Sequence, residues 1–170
     1  MKNKDALHNP DGIDVVETHQ EIKQIKKECL RLLTRRDHSR KEIQDKLAVK
    51  GYDRNQVLTV IDELTRQSWQ DDTRYAESYA KVRSQKGFGP IRIAYELRQQ
   101  GIAPDTVDKI IRATTDNWMT LLGQVYTKKY LGTVAMDSSE RANRIRFLQQ
   151  RGFSSAMIHD LFKQTTTKST

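Results

Sequence analysis

The chain is poor in the residues that define several common protein classes. It has one cysteine, three prolines and eight glycines among its 170 residues, and only 7% of them are aromatic. A single cysteine excludes an intrachain disulfide, and the scarcity of proline and glycine excludes collagen-like and low-complexity chains. No apolar run approaches the roughly 18 to 20 residues of a membrane helix, and the N-terminus shows no apolar segment of a secretory signal. These absences predict a soluble protein of a reducing cytoplasm.

Charged residues, by contrast, are abundant. Lysine and arginine number 30 and aspartate and glutamate 22, which gives a formal net charge of +8. Hydrophobic residues make up 36% of the chain and recur at regular spacing, so the sequence predicts a folded protein rather than a disordered one. The length allows one or two ordinary domains.

A sequence pattern occurs three times, at a period of about fifty residues. In each copy a leucine is followed by three residues, a glycine and an apolar residue, and apolar residues then return at helical spacing. The glycines stand 50 and 51 residues apart. The repeated pairs are Leu47 and Gly51, Leu97 and Gly101, and Leu148 and Gly152. Three matching copies predict three tandem repeats.

Local signals predict three helices in each repeat. A glycine after a helical pattern supplies the left-handed residue that ends a helix. Ser39 and Glu42 form a capping box, and Pro90 fits a first helical turn. Either Asp53 or Asp105 can cap the helix that follows a glycine. The leading helices of the repeats are predicted over residues 22–36, 72–86 and 117–130.

The predicted fold is all-α, because no segment shows sustained strand alternation. Three tandem three-helix repeats are expected to form an elongated, curved array. The run from Pro10 to Gly12 predicts a turn within a mobile N-terminal tail. The predicted segments are the mobile tail over 1–20, repeat 1 over 21–69, repeat 2 over 70–115, repeat 3 over 116–164 and a frayed C-terminal tail over 165–170.

Positive charge is also periodic along the chain. The net charge is +5 over residues 21–50, −3 over 51–72, +4 over 73–100, −1 over 101–120 and +4 over 121–152. The first two helices of each repeat are therefore basic, and stacking the repeats would place three basic patches in a row. Such a surface suits a polyanion such as nucleic acid, whereas the simpler alternative is a solvated face that keeps the protein soluble. Tyrosines near these helices could stack on bases, although their helical spacing favours core packing; they are Tyr75, Tyr79, Tyr95, Tyr126 and Tyr130.

No motif predicts catalysis, a cofactor or a metal site. Asp71 and Asp72 are adjacent carboxylates at a predicted helix start, where N-terminal capping is the simpler role. The four histidines are scattered without metal-ligand spacing. Cys29 shares a helical face with aliphatic residues and is predicted to lie in the core. Residues 86–90 contain two glycines but lack a phosphate-binding frame, so we interpret them as a turn between helices.

The leucine and glycine pattern followed by an amphipathic helix also resembles the centre of a helix-turn-helix, whose second helix enters the major groove of DNA. The segments after the glycines carry net charges of −3, −1 and, over 153–170, +1. This balance disfavours their approach to phosphates. A helix-turn-helix transcriptional regulator therefore remains the alternative interpretation.

Several stretches of the chain carry a resemblance to a known family. They run from Trp69 to Ala76, from Arg83 to Ile93 and from Glu96 to Ile102, and the stretch from Arg36 to Leu47 in the first repeat agrees. On these residues the chain resembles the RecX regulatory proteins, which are bacterial modulators of the RecA recombinase. The resemblance spans most of residues 22–164. It implies a small, all-helical, non-enzymatic protein without a cofactor that binds RecA and RecA–DNA filaments.

The resemblance further implies restraint of ATP hydrolysis, coprotease action and strand exchange by RecA, in recombination, DNA repair and the SOS response. We expect a monomer that also binds nucleic acid weakly and in a salt-sensitive manner. The first two helices of repeats 2 and 3 are expected to supply the contact surface. The candidate RecA- or DNA-binding residues are Arg74, Lys81, Arg83, Lys86, Arg92, Arg98, Lys128, Lys129, Arg141, Arg144 and Arg151.

Overall fold

A computed structural model describes residues 10–115, 117–131 and 137–167. Within these ranges the chain forms nine α-helices and no β-strand, so the all-α prediction is confirmed. The helices are α1 Pro10–Leu33, α2 Arg40–Val49, α3 Arg54–Arg66, α4 Asp72–Gln85, α5 Pro90–Gln99, α6 Pro104–Thr114, α7 Trp118–Tyr130, α8 Ser138–Gln150 and α9 Ser155–Thr167. None of these described helices is long and apolar enough to cross a membrane.

The first helix begins earlier than the sequence predicted. Pro10 is the first residue of α1, so the turn predicted from Pro10 to Gly12 is wrong. Proline is favoured at the first helical position, because the N–H that it lacks would have no intrahelical partner there. Residues 1–9 of the predicted tail lie outside the described residues, as do 168–170 at the other end, whereas 165–167 belong to α9.

The helices divide into two compact units, residues 1–71 and residues 72–170. In the first unit, α1 to α3 surround one hydrophobic core formed by Ile25, Cys29, Ile43, Leu47, Val57, Val60, Ile61 and Leu64. In the second unit, α4 to α6 surround a core that includes Tyr75, Ile93, Leu97 and Val107. The last three helices surround another that includes Leu122, Leu148, Phe153 and Ile158. Each group of three helices thus has its own core, as expected for three repeats.

The repeated leucine and glycine pattern closes the second helix of each repeat. Gly51 has a φ of +85°, which is the left-handed conformation predicted for it. Its N–H donates to the carbonyl of Ala48 at 2.9 Å, and the next N–H, of Tyr52, donates to the carbonyl of Leu47 at 3.2 Å. This pair of hydrogen bonds is the Schellman motif. The same bonds recur at Gly101 and Gly152, whose φ values are +78° and +93°.

The capping signals predicted for α2, α3 and α5 are confirmed. The Ser39 hydroxyl accepts from the N–H of Glu42 at 3.0 Å, and the Asp53 carboxylate caps α3. Pro90 occupies the first turn of α5. The capping role considered for Asp105 is wrong, because Pro104 already opens α6 and leaves Asp105 inside its first turn.

Candidate nucleic-acid and protein interface

All the candidate contact residues fall in the second unit, where two turns distant in sequence meet. The N–H of Gly89 donates to the carbonyl of Arg151 at 2.7 Å, and the N–H of Ile91 donates to the carbonyl of Gly152 at 3.1 Å. The first N–H groups and the last carbonyls of helices lack intrahelical partners. The start of α5 therefore caps the end of α8. We call these two turns, residues 86–91 and 150–152, the junction between repeats 2 and 3.

Two glycines allow the junction to form. A Cβ on Gly89 would lie 2.5 Å from the carbonyl oxygen of Gly152, and a Cβ on Gly152 would lie 2.6 Å from the backbone nitrogen of Arg92. Both contacts are shorter than van der Waals distance and involve backbone atoms, so either Cβ would force the two turns apart. The segment 86–90 is a turn, as predicted from the sequence, but it is also the contact between two repeats.

Arginines surround the ring of Phe88 at the junction. The guanidinium carbons of Arg83, Arg92 and Arg151 lie 3.7, 4.7 and 4.9 Å from the ring centroid. Guanidinium groups at such distances are attracted to the face of an aromatic ring. Arg92 donates to the carbonyl of Gln150 at 2.9 Å, and Arg151 donates to the carbonyl of Lys86 at 2.9 Å. Arg92 and Arg151 therefore also hold repeats 2 and 3 together.

Glu96 neutralises part of this arginine cluster. Its carboxylate accepts hydrogen bonds from Nε of Arg83 at 2.7 Å, Nε of Arg92 at 3.0 Å and the hydroxyl of Tyr79 at 3.0 Å. Burial by itself raises the pKa of Glu96, but these hydrogen bonds hold it below the ordinary value. The carboxyl group is therefore ionised when the protein is folded at neutral pH.

Arg144 departs from its predicted role. It is 5% exposed, and its guanidinium donates to Glu140 at 2.8 Å and to the hydroxyl of Tyr126 at 2.7 Å. A buried and doubly bonded arginine cannot present its charge to a partner, so Arg144 is removed from the candidate contact set. Its position indicates the cause, since it stands one helical turn before the core residue Leu148.

Other candidate cations lie elsewhere on the second unit. Arg98 forms an exposed ion pair with Asp108 at 3.3 Å. Lys81 lines a groove between α4 and α6, where it is accompanied by Glu77. Arg74 is exposed on α4, and Arg141 is exposed on α8, with its guanidinium carbon 5.6 Å from the ring centroid of Phe162. The structure therefore does not bring all the candidate residues into one site.

One cleft beside the junction does gather several of them. Lys86, Lys128, Lys129 and Arg151 line a cavity of about 740 Å³, together with Gln85, Gly87, Leu121, Gln124, Val125 and Phe147. We call it the junction cleft. No described carboxylate pairs with any of its three lysines, whereas Arg83, Arg92 and Arg98 are all paired. The junction cleft is thus a concentration of positive charge without internal compensation.

The exposed face of α5 was not anticipated. Tyr95 is 60% exposed and Ile91 56% exposed, one helical turn apart, so the prediction that Tyr95 packs in the core is wrong. The sequence indicates the exposure of Tyr95 and Ile91, because the buried residues Ile93, Ala94 and Leu97 lie on a different face of α5.

The described residues contain no cluster of three or more histidine, cysteine, aspartate or glutamate side chains that could hold a metal ion. Asp72 is the first residue of α4, as expected for an acid at a helix N-terminus. Cys29 is fully buried in the first core, as predicted, and burial raises the pKa of its thiol to about 11.

Comparisons with known proteins give a consistent result. Residues 26–64 match the family model "RecX, first three-helix domain", and residues 71–110 match "RecX, second three-helix domain". The chain is 38% identical over 136 residues to "Regulatory protein RecX" of Legionella pneumophila (strain Corby), covering 80% of this chain and 91% of that protein. It is 35% identical over 130 residues to the protein of the same name from Halorhodospira halophila (strain DSM 244 / SL1), covering 76% and 81%.

Solved structures show the same fold. A crystal structure of regulatory protein RecX superposes with a TM-score of 0.77 at 21% identity, covering 96% of this chain and 81% of that chain. The crystal structure of RecX from Lactobacillus salivarius superposes with a TM-score of 0.71 at 21% identity, covering 86% and 97%.

Proposed function

The chain belongs to the RecX family, and from that premise we propose that it is a non-enzymatic regulator of the RecA recombinase. It binds RecA and filaments of RecA on DNA, and it restrains their ATP hydrolysis, strand exchange and coprotease activity. Its place is then in recombination, DNA repair and the SOS response, in the cytoplasm. The observation that carries this proposal is the match to RecX regulatory proteins, which extends over both units of the chain.

The charge distribution of the second unit supports the proposal. A RecA–DNA filament offers repeated protein sites next to phosphates, so a regulator that lies along it needs positive charge that its own carboxylates do not neutralise. Lys86, Lys128 and Lys129 have that property among the described residues. Tandem repeats also suit an extended partner, because they expose a long surface. The alignment of the basic segment of repeat 1 with this surface stays a prediction.

A titration into RecA assembled on single-stranded DNA tests the proposed function. We expect ATP hydrolysis to fall at protein concentrations below that of RecA, and the protein to co-sediment with the filament. Without RecA, attachment to the same DNA should be weaker and should decrease steeply with salt, because counterions are released when lysines contact phosphates.

The same titration separates the alternatives. A helix-turn-helix regulator would bind a preferred duplex sequence over competitor DNA and leave ATP hydrolysis unchanged. The exposed acids Asp105 and Asp108 on α6 disfavour that outcome, because they would face phosphates if α6 entered a groove. A general adaptor would bind protein to the same extent with or without nucleic acid.

A further inference from the structure

We propose that the junction cleft binds the phosphodiester backbone of a single nucleic-acid strand. The inference deepens the proposed function and rests on it, since it assigns the nucleic-acid contact of the regulator to one site. The cleft contributes Lys86 from the turn after α4, Lys128 and Lys129 from the last turn of α7, and Arg151 from the end of α8.

The lysines of the cleft differ from the arginines beside it in how their charge is compensated. Arg83 and Arg92 share the carboxylate of Glu96, so part of their positive charge is neutralised within the protein. The three lysines have no carboxylate partner among the described residues, and no acidic side chain lines the cleft. Basic residues favour the last turn of a helix in general. That preference accounts for single lysines, but not for cations from separate segments converging on one cavity.

The cations of the cleft suit phosphate as the bound anion. The planar fork of arginine binds carboxylates and phosphates alike through two parallel hydrogen bonds, whereas lysine binds phosphates as a point charge. The one arginine of the cleft, Arg151, already donates to the carbonyl of Lys86 and lies over the rings of Phe88 and Phe147. One nitrogen of its fork is therefore already engaged within the protein. The remaining cations are lysines, which act as rotatable point charges and are well suited to phosphates.

The volume and lining of the cleft suit a single strand. Its apolar lining of Leu121 and Val125 accepts sugar or base surface, and the neutral amides of Gln85 and Gln124 can donate to phosphate oxygens. A cavity of about 740 Å³ admits part of one strand. The bases of a duplex are stacked and paired, so a single strand can offer more of their surface to this lining.

The junction fixes the geometry of these cations. The hydrogen bond from Arg151 to the carbonyl of Lys86 joins the two sides of the cleft directly. The backbone bonds of Gly89 and Ile91 hold the same two turns together. A site whose sides are fixed before binding loses little conformational entropy when the ligand arrives.

The test compares two double variants of the full-length chain that lose the same charge. Lys86→Gln with Lys128→Gln removes two cations of the cleft, whereas Lys109→Gln with Arg112→Gln removes two exposed cations of α6 that lie outside it. The probe is a fluorescent oligothymidylate of about 16 nucleotides, followed by anisotropy at about 50 and about 200 mM salt. Far-ultraviolet circular dichroism confirms that both variants keep their helices.

We expect the cleft variant to bind the strand at least about tenfold more weakly at the lower salt. Its salt slope, d log K/d log[salt], should be smaller in magnitude by about 1.4, because each lost contact to a single strand removes about 0.7. The α6 variant should stay within about twofold of the unchanged protein, with the same slope. Equal losses in both variants, or no loss in the cleft variant, would overturn the proposal.

Two further outcomes identify other ligands and equally overturn it. If the cleft variant binds the strand normally but loses RecA in the absence of DNA, the cleft is a protein contact. If a duplex of the same length binds more tightly than the strand, and if its affinity falls more in the cleft variant, the cleft is a binding site for duplex DNA. Failure of the proposed function is distinguishable, because the unchanged protein would then bind the strand through the cleft and leave RecA-dependent ATP hydrolysis unaltered.

Discussion

Gly152→Ala is expected to destabilise the second unit by about 3 kcal/mol or more. One part of the loss is backbone strain, because alanine is disfavoured at the φ of +93° that Gly152 adopts. The other part is steric, because the new Cβ would lie 2.6 Å from the backbone nitrogen of Arg92. Relief of that contact requires α5 to move away from the end of α8, which breaks the backbone hydrogen bonds of the junction.

Gly51→Ala is the matched control for this prediction. Gly51 closes the equivalent helix of repeat 1 with a φ of +85°, but a Cβ there would meet nothing within 4 Å. Gly51→Ala should therefore lower the free energy of unfolding through backbone strain alone, by about 1 to 2 kcal/mol. Each unit contains one tryptophan, Trp69 or Trp118, so urea unfolding of single-tryptophan backgrounds reports on the units separately. Equal losses for the two alanine variants would contradict the steric role of Gly152.

Glu96→Gln is the second substitution with a large expected effect, a loss of about 2 kcal/mol in the second unit. The change keeps the shape of the side chain but removes the carboxylate that Arg83 and Arg92 share. Both guanidiniums would then stand beside Arg151 around Phe88 without a counter-charge. Glu77→Gln, which alters an exposed carboxylate of α4, should change the stability by less than about 0.5 kcal/mol.

The pH dependence of the same variant gives an independent check. Because the pKa of Glu96 is lowered in the folded protein, its carboxylate stabilises the fold at pH values above the ordinary pKa of 4.5. This stabilisation is lost as the pH falls below 4.5. Between about pH 6 and about pH 3, the free energy of unfolding of the Glu96→Gln variant should therefore fall less than that of the unchanged protein. Urea midpoints across that range measure the difference, and parallel curves for the two proteins would contradict the assigned role.

The repeat architecture is predictable from the sequence because its signals are local. Leu47 and Gly51 stand four residues apart, and one Schellman motif accounts for both: the leucine carbonyl accepts the closing bond and the leucine side chain enters the core. Pro90 marks a helix start for an equally local reason. The turn predicted at Pro10 was wrong because proline is compatible both with a turn and with the first turn of a helix.

The candidate site was less predictable because its contacts join residues far apart in the chain. Arg92 contacts the carbonyl of Gln150, 58 residues away, and no periodicity indicates that pairing. The net charges of the segments identify which helices are basic, but they do not distinguish Arg83 from Lys86. Glu96 neutralises Arg83, whereas no described carboxylate pairs with Lys86. The burial of Arg144, by contrast, was legible from its helical spacing to Leu148.

The most direct test of the whole account is the inhibition of RecA-dependent ATP hydrolysis by the two matched double variants. If the uncompensated lysines of the junction cleft anchor the regulator to the filament, Lys86→Gln with Lys128→Gln should require at least about ten times more protein for half-maximal inhibition. Lys109→Gln with Arg112→Gln should inhibit as the unchanged protein does. Identical inhibition curves for all three proteins would contradict the account.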